Sequence, residues 1–341
     1  MMKENNKKID IDDSLLRLPG IDRASFVINI DNVDFSKYEH IKNTTMGTSS
    51  IDVSDYIDNR QFNWRIRNKR KYGKDILELD IVFPRVFYNT KHNVYNVAAK
   101  KAVKEALKKV LGEIKEKGID IPLKSLVCVK VEINKTVKLD EDVNSYKDIF
   151  STLVGGNCTL NEQEGGLTVS KVIDKKGKRI KLYDKTTEIS NTIHIEVTKN
   201  LCRFEITISG DRVYRTFKTT DITKITQAQV NKLYKSEVSN LEKCLEDSIL
   251  NDSEELYNRF KFKESITGSD LKLDELRTIY QSFDDEKRVV FSQVVEKAVK
   301  KYRTNYTRNM DTVRKIIGTE SVNRFNNYDR AKNLLKKLKK K

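Results

Sequence analysis

Alternation of apolar and polar positions with a period of two marks residues 24–35, 62–67, 76–83, 126–133, 167–173, 179–185 and 201–208 as strands, each bounded by turn-forming residues. Alternate strand residues face opposite ways. Leu77, Leu79, Ile81 and Phe83 thus oppose Glu78 and Asp80, and Val127, Val129, Val131 and Ile133 oppose Lys130 and Glu132. Cys202, Phe204, Ile206 and Ile208 oppose Arg203, Glu205 and Thr207, while Ile180 and Leu182 oppose Arg179, Lys181, Tyr183 and Lys185. Residues 93–118 change to helical spacing and stop at Gly118; Lys-Lys-Gly at 175–177 predicts a hairpin turn. These elements predict an α+β domain, an antiparallel sheet with helices packed on one face.

After about residue 217 the pattern turns helical, over 227–250, 287–306 and 331–341, with two short helices around Gly318 in 311–325 that could form a helix-turn-helix. The predicted organisation is a polar leader over 1–22, an α+β domain over 23–217 and an all-α region over 218–341 that ends in a basic tail.

Composition narrows the classes. The chain has 341 residues, 38% hydrophobic and 34% charged. No run reaches the roughly 18 apolar residues of a membrane span, and MMKENNKKIDIDD carries no apolar signal segment, so a cytoplasmic protein without membrane contact is expected. Cys128, Cys158, Cys202 and Cys244 lie far apart without a CxxC pair, which supports neither a disulfide framework nor a zinc site. The net charge of +16 is uneven: residues 1–60 carry −3 and residues 301–341 carry +10. Such an excess suits a polyanion through counterion release, and it also serves solubility.

If the strands pair in one sheet, their polar faces gather Glu78, Asp80, Glu132, Glu205 and Tyr183. Carboxylates at that density repel unless cations compensate, and oxygen ligands suit Mg²⁺ or Mn²⁺ rather than zinc. A tyrosine beside such a metal and several cations can attack a phosphodiester. A solvated sheet face with cross-strand ion pairs answers to the same pattern.

The order of motifs goes further. LLRLPGID (15–22), LELDIVFPRVFYNTKHNVYN (77–96), KVEI (130–133), KLYDKTTEI (181–189) and CRFEITI (202–208) follow one another. In this order the chain resembles the gene II/X replication initiators of filamentous phages and the related Rep-trans initiators of rolling-circle plasmids, over about residues 15–217. KVEI stands where the family has an Arg-hydrophobe-Asp strand, so Glu132 replaces the usual aspartate. KLYDKTTEI is similar to its tyrosine-acid-lysine strand and CRFEITI to its Arg-aromatic-Glu strand. His40, His92 and His194 form no His-hydrophobe-His motif, which fits this group and disfavours the relaxases built on that motif.

The resemblance implies a metal-dependent nickase and strand transferase that starts rolling-circle replication through a 5′-phosphotyrosine intermediate. It implies Tyr183 as nucleophile, Glu132 and Glu205 as ligands of Mg²⁺ or Mn²⁺, and Asp80 or Glu78 as a further acid. Lys185 and Arg203 would hold the phosphate or a neighbouring carboxylate, and Lys130, Arg179, Lys181 and Arg203 would contact DNA. Tyr214, in GDRVYRTF (210–217), is the alternative nucleophile. The implied partners are origin DNA, single-stranded at the nick, a host helicase and a second copy of the chain. A DNA-binding initiator or regulator that cuts nothing, and a conjugative relaxase, stand as alternatives.

Overall fold

The computed structural model describes residues 8–34 except 10 and 17, 64–71, 74–267 except 164, 165, 176, 194, 195 and 198, then 278, 281 and 327–340. Among them the strands are β1 (Lys8–Ile9), β2 (Gly20–Asn29), β3 (Trp64–Lys71), β4 (Lys74–Val82), β5 (Val127–Lys138), β6 (Thr159–Gln163), β7 (Gly166–Asp174), β8 (Lys178–Asp184), β9 (Glu196–Val197) and β10 (Leu201–Ser209). The helices are α1 (Phe83–Tyr88), α2 (Lys101–Glu116), α3 (Lys147–Val154), α4 (Lys185–Ile193), α5 (Asp211–Phe217), α6 (Gln227–Thr267) and α7 (Asn327–Lys339).

An eight-stranded sheet in the order β3-β4-β2-β5-β10-β8-β7-β6 organises the fold, and its neighbours pair antiparallel throughout. The expected alternation builds its apolar face: Ala24, Phe26, Ile66, Leu79, Ile81, Val131, Ile133, Ile180, Leu182, Phe204 and Ile206 are all buried. Helix α2 contributes Val103, Ala106, Leu107, Val110 and Ile114 to the same core. Trp64 of β3 donates from its indole to Glu113 of α2 at 2.8 Å. At the other end Tyr234, in the first turns of α6, packs edge-on against Phe204 with centroids 5.6 Å apart. The α+β class read from the pattern is the observed one, with α2 and the start of α6 on the apolar face.

Two irregularities between β2 and β5 change the faces there. Between β2 and β5 the register passes from Ile21↔Ile133 to Arg23↔Glu132, leaving Asp22 as the extra residue of a bulge. A second shift, between Ser25↔Lys130 and Phe26↔Cys128, inserts Val129 on β5. It reverses the predicted parity there, so Cys128 is buried and Val127 is 44% exposed, contrary to the simple alternation.

Helix α2 begins at Lys101 rather than at residue 93, because the preceding segment is tied to the sheet instead. Val97 pairs with Ile21 through both backbone bonds, and Asn96 donates to the carbonyls of Leu18 and Asn134. Val94 and Tyr95 enter a satellite core with Ile11, Leu16, Ile189, Val197 and Leu201, and the Tyr95 hydroxyl accepts from the Asp12 backbone. Strand β6, which the sequence pattern missed, extends the sheet beyond β7. The hairpin at Gly177 forms as expected.

The chain divides into two compact units. The first joins residues 1–145, 157–237 and 338–341 and holds the sheet. Within it, buried Lys135 donates to the carbonyls of Leu338 and Lys340. The second joins Tyr146–Gly156 to Val238–Lys337. There Ile149, Phe150, Leu153 and Val154 of α3 are buried, and the Arg330 guanidinium lies 4.6 Å over the Tyr146 ring. The basic tail is helical: α7 buries Ala331, Leu334, Leu335 and Leu338 while Lys332, Lys336 and Lys339 are exposed. The helices expected over 287–306 and 311–325 lie outside the described residues, as do His40 and His194. Among the described residues no helix is long and apolar enough to cross a membrane.

Candidate active site

On the polar face three carboxylates from adjacent strands converge: Asp22 of β2, Glu132 of β5 and Glu205 of β10. Each is buried, and one oxygen of each lies within 4.8 Å of the others. Strand alternation delivers Glu132 and Glu205. Asp22 arrives by the bulge, which gives Glu132 the backbone partner Arg23 and leaves Asp22 beside it.

Asp22 is held from two sides. Arg203, fully buried on β10, donates to Asp22 at 3.3 Å, to the Thr136 hydroxyl at 2.9 Å, to the Val94 carbonyl at 2.6 Å and to the Asn93 carbonyl. The Asn93 amide nitrogen donates to the two Asp22 oxygens at 3.1 and 3.3 Å. Its amide oxygen accepts from Lys185 Nζ at 2.9 Å. Glu132 pairs with Lys130, and Glu205 Oε1 with Lys181 at 2.9 Å.

Burial pushes the Asp22 carboxyl up to about 6: Arg203 and Lys185 favour its charge, but Glu132 and Glu205 oppose it. Glu205 is also buried, yet Lys181, Arg203 and Lys185 hold its carboxyl below the usual range. Three carboxylates thus share one buried site, with Asp22 raised chiefly by burial. Its donors are all oxygens, so a hard divalent cation fits these residues.

Tyr183, half-buried on β8, reaches Glu205 Oε2 with its hydroxyl at 3.4 Å, a long hydrogen bond. Burial drives its phenol well above 10; Arg203 opposes this, and Glu205, Glu188 and Asp22 reinforce it. Strand β8 ends at Asp184, so Lys185 opens α4 rather than extending the strand face. Its side chain is buried, pairs with Glu188, and stands 5.9 Å from the Tyr183 ring centre. Burial and Arg203 bring its ammonium down to about 8, with Glu188 and Asp22 partly offsetting them.

Asp22, Asn93, Glu132, Lys181, Tyr183 and Glu205 line one cleft of about 530 Å³. Arg23 and Arg85 supply cations on its wall, Asn161, Thr168 and Asn191 uncharged donors, and the carboxylates with Tyr183 its chemistry.

The structure therefore brings Glu132, Glu205, Tyr183, Lys181 and Lys185 together. Asp80 stays on the same face but outside the cluster: it accepts from Ser25, from Arg65 at 2.9 Å and from Arg23 at 3.5 Å, which lower its carboxyl despite burial. Arg203 has no exposed surface and directs its fork at Asp22 and the loop carbonyls. Its three side-chain nitrogens meet Thr136, Asp22 and the Asn93 and Val94 carbonyls. Lys130 is half-buried against Glu132, and Arg179 is exposed on β8. Tyr214, 58% exposed on α5, follows the end of β10 that pairs with Lys178, the end away from Tyr183. Asp22, Asn93 and Glu188 escaped the sequence pattern. The acid in PGID precedes the predicted strand, and nothing in alternation announces a bulge.

No family model matches the sequence, and no curated protein matches it. Among solved structures, the rolling circle replication initiator protein from Geobacillus stearothermophilus is similar, at 10% identity and a TM-score of 0.30, over 66% of this chain and 84% of that one. A likeness of that size assigns neither an activity nor a site residue.

Proposed function

We propose that the chain is a metal-dependent, site-specific DNA nickase and strand transferase that initiates rolling-circle replication of a plasmid or phage. One observation carries the reading: Tyr183 places its hydroxyl 3.4 Å from Glu205 in the cleft that holds the Asp22–Glu132–Glu205 cluster. The order of sequence motifs supports it, with Tyr183 in the position of the family's nucleophile.

Asp22, Glu132 and Glu205 would hold Mg²⁺ or Mn²⁺, which when bound neutralises charge on a phosphate's non-bridging oxygens. The Tyr183 oxygen attacks the phosphorus and its proton passes to Glu205 Oε2, the nearest acceptor. The bond from phosphorus to the 3′ oxygen breaks, and that oxygen takes the proton to leave as a 3′ hydroxyl. The 5′ phosphate stays on Tyr183, and attack by a 3′ hydroxyl reverses the step. Lys185, beside the ring, supplies a cation near the transferring group, while Lys130, Lys181 and Arg179 meet the DNA backbone. Residues 218–341, with the outward lysines of α7, would serve DNA binding or self-association.

The test is incubation with Mn²⁺ and supercoiled DNA carrying the element's own origin. Nicked or relaxed product with protein joined to the 5′ end is expected from the parent, and Tyr183→Phe should lose the covalent product by at least about 10³-fold. Cleavage by Tyr183→Phe at the parent rate would remove Tyr183 from the reaction. DNA binding without cleavage by the parent would favour a non-catalytic initiator.

A further inference from the structure

The geometry points to Asn93 as a positioning residue that orients Asp22 for a divalent cation and ties that cation seat to Lys185 beside the tyrosine. The inference rests on the reading of the cluster as a cation seat, and it concerns a residue outside the cluster itself.

A primary amide is the side chain this position can use in both directions. Its nitrogen carries two donors and its oxygen only acceptor sites. At residue 93 the nitrogen end faces the two oxygens of Asp22, at 3.1 and 3.3 Å, and the oxygen end faces Lys185 Nζ at 2.9 Å. A carboxylate here would meet Asp22 charge to charge, and an apolar side chain would leave both buried ions short of a partner. The amide fixes the rotation of the Asp22 carboxylate, a task that Arg203 alone, with one contact to Asp22 at 3.3 Å, leaves half done.

The backbone is independently secured. Arg203 holds the carbonyls of Asn93 and Val94, Val94 and Tyr95 sit in the satellite core, and Val97 pairs with Ile21. Replacing only the Asn93 side chain therefore removes the bridge while those anchors remain. Ligand-orienting partners of this kind typically change metal affinity by roughly 10–100-fold when removed.

The experiment uses the full chain and Mn²⁺ alone. The Mn²⁺ dissociation constant is measured by electron paramagnetic resonance for the parent, Asn93→Leu and Asn93→Ala, with the melting temperature of each metal-free chain recorded alongside. Both variants should weaken Mn²⁺ binding by about tenfold or more. In an Asp22→Asn background, the further effect of Asn93→Leu should fall below about twofold, because the group it orients is no longer a charged ligand. Parent-like Mn²⁺ affinity in both variants overturns the inference and leaves the cation seat intact. So does a loss of affinity that persists in full in the Asp22→Asn background. Failure of the parent to bind Mn²⁺ at millimolar concentration overturns the seat and the inference together.

Discussion

Among the described residues Arg203 is the largest fully buried side chain, and its charge is tolerated because its donors are spent on Asp22, Thr136 and two backbone carbonyls. Removing one partner of a buried ion pair costs more than the pair contributes. Arg203→Met should therefore destabilise the chain by roughly 3–5 kcal/mol in urea unfolding, and Arg203→Lys should recover little, since an ammonium cannot reproduce the fork. Asp22 gives a pH signature. Its folded carboxyl is raised to about 6 from 3.8, so between about pH 4 and 6 the folded chain holds a proton that the unfolded chain has released. Stability from this group is thus greatest at low pH and falls as pH rises through that window. The metal-free parent should lose stability from pH 4 to 6 relative to Asp22→Asn, and saturating Mn²⁺ should remove the difference; melting curves across that range check it. Sequence made Glu132, Glu205 and Tyr183 legible because each obeys alternation. Asp22 was not legible, because a bulged residue has no assigned face until its register is known.

At the scale of elements, the polar face depends on where backbones approach closely. A Cβ on Gly20 would lie 2.5 Å from the Val97 carbonyl and 2.6 Å from the Asn96 side-chain oxygen, at the start of β2 where the loop crosses. Gly20→Ala should push that loop away from Asp22, lowering stability by about 1–3 kcal/mol and weakening Mn²⁺ binding with it. Gly177 tolerates its turn for a different reason: its φ is +118°, and a side chain there would strike the Ser209 carbonyl. The hairpin was legible because Lys-Lys-Gly separates two alternating runs. The loop before α2 was not: Ala98, Ala102 and Val110 keep a helical rhythm, but hydrogen bonds from Asn96 and Val97 to distant strands outweigh local propensity at its start.

Across the whole molecule, Lys135 joins the centre of the sheet to residues 338 and 340, and burial with nearby Lys340 brings its ammonium down to about 8. Deleting Leu338–Lys341 should cost about 1–3 kcal/mol by withdrawing those acceptors. Lys135→Met in the shortened chain should restore much of the loss, as chemical unfolding would register. Charge asymmetry was legible from composition; the contact of Lys135 with residues 338 and 340 was not, because lysines there read alike whether a helix end is packed or free. The strand order also has a consequence for how the protein is made. Strand β10 lies between β5 and β8, so it joins β3-β4-β2-β5 to β8-β7-β6 although it is the last of the eight to be synthesised. A nascent chain that has already emerged with Tyr183 still lacks Glu205 and the strand that bridges its two half-sheets. Tyr183 is thus kept apart from Asp22 and Glu132 until residues 201–209 insert, and the cleft with its three carboxylates is completed in one late, non-local closing step.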